Sequence, residues 1–494
     1  MIPHTLVLVC VLVALASPLL AQGGSLTPPP GPPGPTMKPL DLVEPRVALV
    51  EGAPGVEVVD GAFTITQPGS YYLSENLNYA GSGTAVTILA DGTTLDMMGH
   101  SITFGGDGEG GIAIQISASN VAVHSGHIIS SSAFGIGGFT PGGFSHGLVT
   151  SAGASSVSVR DLSVIGVRGD AIALLGSASI VENCSANSSG ATGIRNVNGG
   201  VYNCEVTYAS SDGIRANIVE NCRVDLAGGH GIFAKIVSNS VARSSAASRT
   251  TAGIVADIVE NSYAQSSAGA GIAATSLVRG SYGLSTSSDA TFGHGISAAT
   301  VVGSVGVSWG GSGINAETVS SSRGSSSGPH GLASSGITAD RVDNSRGTSS
   351  RAGAGISALY TVSGSVGISE EGFGIFAYPE GGLTIATAFG GTVTSSYGLN
   401  KGGTGGDGIR ARMVNQSMGW SEGGHGIHAD FVSHSWGRVG ASGQDGIRCV
   451  MVSDSQGERV AIDDNFVGLR AERATSSRPW PPTSIAVGQK YLMP

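Results

Sequence analysis

Charge is scarce in this chain. Only 12% of its 494 residues are Asp, Glu, Lys or Arg, and the net charge of -10 is spread without any basic run. That excludes a nucleic-acid surface built on phosphate contacts. Aromatic residues make up 5%, and the cysteines number five, none at the spacing of a zinc site. No acidic calcium loop occurs either, so neither a metal nor another cofactor is expected. Beyond the N-terminus no apolar run is long enough to cross a bilayer. Disorder needs low hydrophobicity together with high charge, and here charge is low and 40% of residues are hydrophobic. What the chain has in abundance is glycine, 80 residues, and they recur with a period.

The beginning reads as an export signal. Leu6 to Ala16 is apolar, Ser17-Pro18 follows, and small residues allow cleavage after Ala21. The expected location is therefore outside the cytoplasm: secreted, extracellular or at the cell surface, or in the periplasm, with no membrane segment after cleavage. Residues 22–37, with Pro28-Pro29-Pro30-Gly31-Pro32-Pro33, form a stiff spacer of polyproline II type. Residues 38–84 are expected to cap the folded body, with Leu40, Leu42, Val43 and Val47 in a short amphipathic cap and Phe63 to Thr66 in a strand.

One phrase organises the rest. Gly213-Ile214-Arg215-Ala216 is followed by Val219, Cys222 and Val224, and the same wording starts again at Gly231, Gly253, Gly271 and onward to Gly446. From Gly to Val is six residues in most copies, and from Val to a Ser or Cys is three. The gap from that Ser or Cys to the next Gly varies from 9 to 14. One turn is free to grow while the others are fixed, which is how a solenoid with one open edge behaves. With the strand period of two, the constant Ile, Ala, Val and Ser or Cys point inward and the variable residue after Ile points outward.

These rules predict an all-β fold, a single-stranded right-handed parallel β-helix (β-solenoid) of about 16 coils over residues 85–470, on the order of 75 Å long at about 4.8 Å per rung. A left-handed β-helix needs an apolar residue every six positions, and steps of five and then three from Ile214 to Cys222 do not supply that. Ala133 to Ser155 is expected to be a loop thrown out from the third coil, and residues 471–494 a C-terminal cap. Cys184, Cys204 and Cys222 share one inward slot and are expected to form a buried thiol ladder, because in-register Cβ atoms lie beyond the usual disulfide separation. Cys449 takes a core Ala position.

The stretch Ile65-Thr66-Gln67-Pro68-Gly69-Ser70-Tyr71-Tyr72-Leu73, followed by Leu95-Asp96-Met97-Met98-Gly99-His100-Ser101-Ile102, resembles the opening of exported bacterial right-handed β-helix proteins of the pectate-lyase-like superfamily. The resemblance implies the fold and says little of activity. Polygalacturonases of that superfamily carry a paired Asp on one rung. Here Gly169-Asp170-Ala171 lacks the second Asp, and the Gly-His-Gly triplets at His230, His294 and His425 are repeat starts.

Two candidate sites remain. Asp407, His425 and Asp445 precede the repeat Gly on successive rungs, beside outward Arg410, His428, Arg448 and Arg470. Read as an exposed patch, they offer cations for a uronate carboxylate and a base for the adjacent proton, as a polysaccharide lyase or epimerase needs. The plainer reading is a ladder of alternating charges; Arg195, Asp212, Arg215 and His230 repeat it on a smaller scale. The second candidate is a stripe of Tyr263, Tyr282, Arg323, Arg346, Tyr397 and Trp436, with Trp420 nearby, suited to stacking on sugars. The expected function is that of a secreted, non-catalytic β-helix protein that binds polysaccharide or a cell-surface glycan or serves structurally at the surface; the alternative is the lyase or epimerase.

Overall fold

The computed structural model describes residues 46–106, 110–135, 138–328, 334–377, 390–403, 405–440, 444–459, 469–475, 478–480 and 485–487. The expected signal, the proline-rich spacer and Tyr378 to Phe389 lie outside them. By contacts the chain divides into Met1–Arg46 and Val47–Pro494, and the second unit carries the repeats. Its described residues contain no helix long and apolar enough to cross a membrane.

This unit is a right-handed parallel β-helix of about 18 turns, the hand that parallel crossovers take. Strands pair in parallel with the equivalent strand one coil on, in register: Ile214 with Ile232, Val219 with Val237, Arg223 with Val241. Most coils hold two strands rather than three. Ile and Val sit on one continuous strand, such as Ile314–Ser320, and a short strand such as Arg323–Ser326 comes after the turn. On some rungs the first strand splits, without extra residues at Ile232–Phe233 and Ile236–Ser238, and around a long insertion at Ile375–Ala377 and Thr392–Thr394.

Burial follows the alternation. The Ile column from Ile172 to Ile447 and the Val column beside it are buried along their whole length. The serine slot adds a polar spine inside this apolar core. Each Ser hydroxyl donates to the carbonyl two residues before it and accepts the N–H of the same slot on the preceding rung. Ser345 donates to the Asp343 carbonyl at 2.7 Å and accepts from Ser322 N–H at 3.1 Å; Ser417 repeats this with Asn415 and Ser396 at 2.8 and 3.2 Å. A hydroxyl is required because the turn leaves that N–H outside the strand ladder, and a buried N–H without a partner is costly. Cys184, Cys204 and Cys222 continue the spine as free buried thiols, as their slot implied. The two neighbouring thiols and burial push Cys204 above the usual thiol range, and burial pushes Cys449 up to about 12, so neither is a nucleophile.

The residue before each spine Ser turns the chain with a positive φ. From Asn183 to Gly364 this corner is Asn or Gly, except Ser321. Those are the residues that tolerate the left-handed region best.

Two expectations are corrected. Ala133 to Ser155 is not all loop: Ala133–Gly135 and Gly138–Thr140 form a hairpin, but His146–Thr150 is a coil strand, with Leu148 matched to Ile114 and Ile172. Its sequence hides this because the repeat phrase is absent there. Val47 lies in a strand, Arg46–Ala48, followed by an antiparallel hairpin of Val56–Val59 and Ala62–Ile65 that contains the expected strand; Leu40, Leu42 and Val43 of the expected cap lie outside the described residues. Finally, the coils do not end at 470. Leu469–Thr475, Arg478–Trp480 and Ile485–Val487 stay in parallel register with the coil before them.

Candidate functional site

The slot before the repeat Gly is interior, contrary to its expected place on the surface. Asp407, His425 and Asp445 are all buried. The N–H of this slot falls in a turn and has no strand partner, so the side chain one rung earlier takes it. Asp407 Oδ1 accepts from His425 N–H at 2.8 Å, and His425 Nδ1 accepts from Asp445 N–H at 3.2 Å. The same bond recurs far from the patch: Asp170 to Thr192, Asp212 to His230, His230 to Ala252, His294 to Ser312. The signal was present in the sequence, since acceptors fill this slot on rungs that share no charged neighbourhood.

The outward arginines follow from the buried carboxylates. Arg195 meets Asp170 at 2.8 Å, Arg215 meets Asp212 at 3.7 Å, Arg410 meets Asp407 at 3.5 Å, and Arg470 meets Asp445 at 3.8 Å. A buried carboxylate is strongly destabilising without a counter-charge, and the outward slot beside it supplies one that still reaches water. Arg410, His428, Arg448 and Arg470 do form one register column. His428 Nδ1 lies 3.4 Å from Asp407 Oδ2. Asp407 Oδ1 and His425 Nδ1 are therefore occupied by backbone bonds, whereas Asp445 Oδ1 is buried without a hydrogen-bond partner among the described residues.

Asp407, His425 and His428 also bring one ligand atom each within 4.8 Å of one another. The donor chemistry does not suit a cation. Because His425 Nδ1 accepts a backbone N–H, its neutral ring carries the proton on Nε2 and has no lone pair left to give. Guanidinium nitrogens of Arg410 and Arg448 stand 3.3 and 3.4 Å from the rings of His428 and His425.

Burial lowers the pKa of His425, His294 and His230 below 6.5. Each serves as a neutral acceptor, and protonating Nδ1 would break its bond. The folded state then holds fewer protons than the unfolded chain, so stability is complete above about pH 6.5 and falls as the pH drops below it. Thermal melts from about pH 7 to 5 should show the midpoint declining, and a variant with Ser at His230, His294 and His425 should flatten that decline. An unchanged slope would show that these rings do not carry the effect.

The second candidate site lies on the outer face of the short strands. Tyr397, Met418, Trp436 and Gln456 are register neighbours on successive rungs. Trp420 sits on the same face two residues after Met418, pointing outward beside them. Together with the corner residues, Tyr397, Met418, Trp436 and Gln456 line a groove of about 530 Å³. Those corners are Ser395, Gln416, His434 and Asp454, with φ of 46–49°. On these four rungs the Asn or Gly of earlier corners is replaced by larger or hydrogen-bonding side chains. Holding an L-residue in this region costs about 1–2 kcal/mol unless, as with Asn or Asp, the side chain bonds locally. Gln416 therefore bears a cost that its side chain does not relieve. Departures from a rule kept elsewhere in the fold mark functional positions.

Of the remaining predicted stripe, Tyr263 and Tyr282 stack on each other, 5.3 Å apart and 8° from parallel. Arg323 and Arg346 are exposed register partners. The sequence singled out Tyr397, Trp420 and Trp436 but not Gln416, His434 or Asp454. Their signal was the loss of Asn and Gly from a slot whose conformation was not recognised.

No family model matches the chain, and no curated protein matches it. Among solved structures it is similar to the Dettilon tailspike protein, at 13% identity over 67% of this chain and 63% of that one, with a TM-score of 0.28. It thus spans less than two thirds of the tailspike's length. It is also similar to the A-module of the mannuronan C-5 epimerase AlgE6 of Azotobacter vinelandii (10% identity, 84% and 92% covered, TM-score 0.26). A third is an exopolygalacturonase of Thermotoga maritima (12%, 88% and 91%, TM-score 0.23). These likenesses assign no site. By its own strand register the chain is a right-handed parallel β-helix repeat protein.

Proposed function

We propose that this is an exported carbohydrate-binding β-helix protein whose ligand lies in the groove of Tyr397 and Trp436, and that it binds without transforming what it holds. The observation that carries the reading is the coincidence of two departures at one place. Tyr397 and Trp436 line the groove with Trp420 outward on the rung between them, and the corners beside them abandon Asn and Gly for Gln416, His434 and Asp454. Aromatic faces stack on the apolar faces of sugar rings, and amide, imidazole and carboxylate groups alongside supply bonds for hydroxyls. Rungs about 4.8 Å apart are spaced much like the residues of an extended glycan. At the Asp407 patch, by contrast, the Asp407 carboxylate and His425 Nδ1 are engaged by the backbone, which favours binding over proton transfer there.

Glycan-array or affinity-electrophoresis measurements test this. Trp436→Ala should weaken the best polysaccharide by about 2 kcal/mol, roughly thirtyfold, as for a buried Trp anchor. Gln416→Asn should also weaken binding while raising stability by up to about 1 kcal/mol. Retention of no polysaccharide would sink the proposal. New unsaturated ends in a bound uronate polymer would replace it with the lyase reading.

A further inference from the structure

The short-strand column that carries the groove also carries two cations with no partner. Arg323 and Arg346 are in register on adjacent rungs, two rungs beyond Tyr282 and two rungs before Tyr397. Three other outward arginines of the short strands are matched among the described residues. Arg223 and Arg243 meet Asp225 at 2.7 and 2.8 Å, and Arg438 meets Glu458 at 3.9 Å. Among the described residues, no carboxylate lies within 4 Å of the Arg323 or Arg346 guanidinium, and both side chains are exposed. Like charges directly opposite on neighbouring strands are destabilising. The adjacent outward residues, Ser325 and Thr348, offer hydroxyls and no charge. With a net charge of -10 on the chain, no general attraction for polyanions explains two unmatched cations here.

We propose that Arg323 and Arg346 form a clip for one oxyanion, a carboxylate or a sulfate ester, borne by a polysaccharide that runs along this column into the Tyr397–Trp436 groove. The inference rests on the carbohydrate reading of that groove and names its ligand as an acidic polymer. Each guanidinium presents a planar fork that matches two oxygens of one anion, and forks one rung apart can hold it from both sides. The anion would cancel the repulsion that the empty column carries. Because clip and groove share one straight track, the acidic residue and the stacked ring belong to a single ligand chain.

The test uses the full chain and four polymers: polygalacturonate and its methyl ester, dextran sulfate and dextran. The wild type should bind one acidic polymer at least roughly tenfold more tightly than its uncharged counterpart, as loss of charge-assisted bonds implies. Which arm responds distinguishes carboxylate from sulfate. R323S/R346S should remain folded, bind the two forms alike and retain the uncharged polymer, whereas Trp436→Ala should weaken both. Equal binding of charged and uncharged forms by the wild type overturns the clip and leaves the groove reading standing. So does a charge preference that survives in R323S/R346S. If no polymer binds, the groove reading fails, and the clip is read alone by titrating sodium sulfate while following arginine Nε–H resonances. Absence of a shift at the two arginines overturns it, and a shift there sustains an anion clip without a glycan.

Discussion

Gly347→Ala is expected to unfold the coils around Ser345 to Ser349, at a cost of about 3 kcal/mol or more. Gly347 is the inward residue two places after the spine Ser. A Cβ there would run into the carbonyl of Gly355 on the neighbouring strand and into Ile356. Backbone and a packed core side chain block it together, so neither can give way cheaply. The same obstruction stands at Gly324, Gly367, Gly398, Gly419 and Gly437, one in each coil where the large Ile of the opposite strand fills the interior. Earlier coils place Ala242 or Val224 in this slot, so glycine there is a matter of volume, not of φ. Hydrogen exchange read coil by coil should show protection lost around residues 345–356 in Gly347→Ala, with Thr348→Ala on the outer face as the near-neutral control. Normal protection in Gly347→Ala would contradict the packing described.

Asp407→Ala should cost about 3–5 kcal/mol, the penalty for breaking a buried charge pair. It strips the acceptor from His425 N–H, at 2.8 Å, and removes the carboxylate facing Arg410 and His428. Asp407→Asn keeps an acceptor oxygen and should recover a large part of the loss. Chemical denaturation of the two variants separates a structural acceptor from a catalytic base: the structural role orders them Ala far below Asn, with glycan binding by the folded fraction unchanged. Equal stability of Asp407→Ala and wild type would contradict the structural role and return Asp407 to the catalytic candidates.

The core was legible because its rule is a distance rule. Gly-Ile-x-Ala, the step of five to Val and the step of three to Ser or Cys fix which side chains face inward, and Ile214, Val219 and Cys222 are buried accordingly. What escaped was whatever depended on turns. Period-two reasoning applies to strands, so it misplaced Asp407, His425 and Asp445, which precede the strand and point inward from a corner. It was also silent on Asn221 and its equivalents, whose left-handed conformation accounts for the Asn and Gly before each Ser. Strand His146–Thr150 was missed because its wording, His-Gly-Leu-Val-Thr, departs from the repeat. The binding face was half visible: Tyr397, Trp420 and Trp436 stood out as aromatics, while Gln416 and His434 look like ordinary surface residues until the corner they occupy is known.

The serine spine has a consequence for how such a chain can change over generations. Each serine bonds the same slot one rung above and one rung below and its own chain two residues back, with nearly the same geometry at Ser304, Ser322 and Ser345. A duplicated or lost stretch from one serine to the next would rejoin the spine with no new interior to invent. Length is then a heritable variable nearly independent of sequence, and every added coil extends the outer track by about one more sugar's reach.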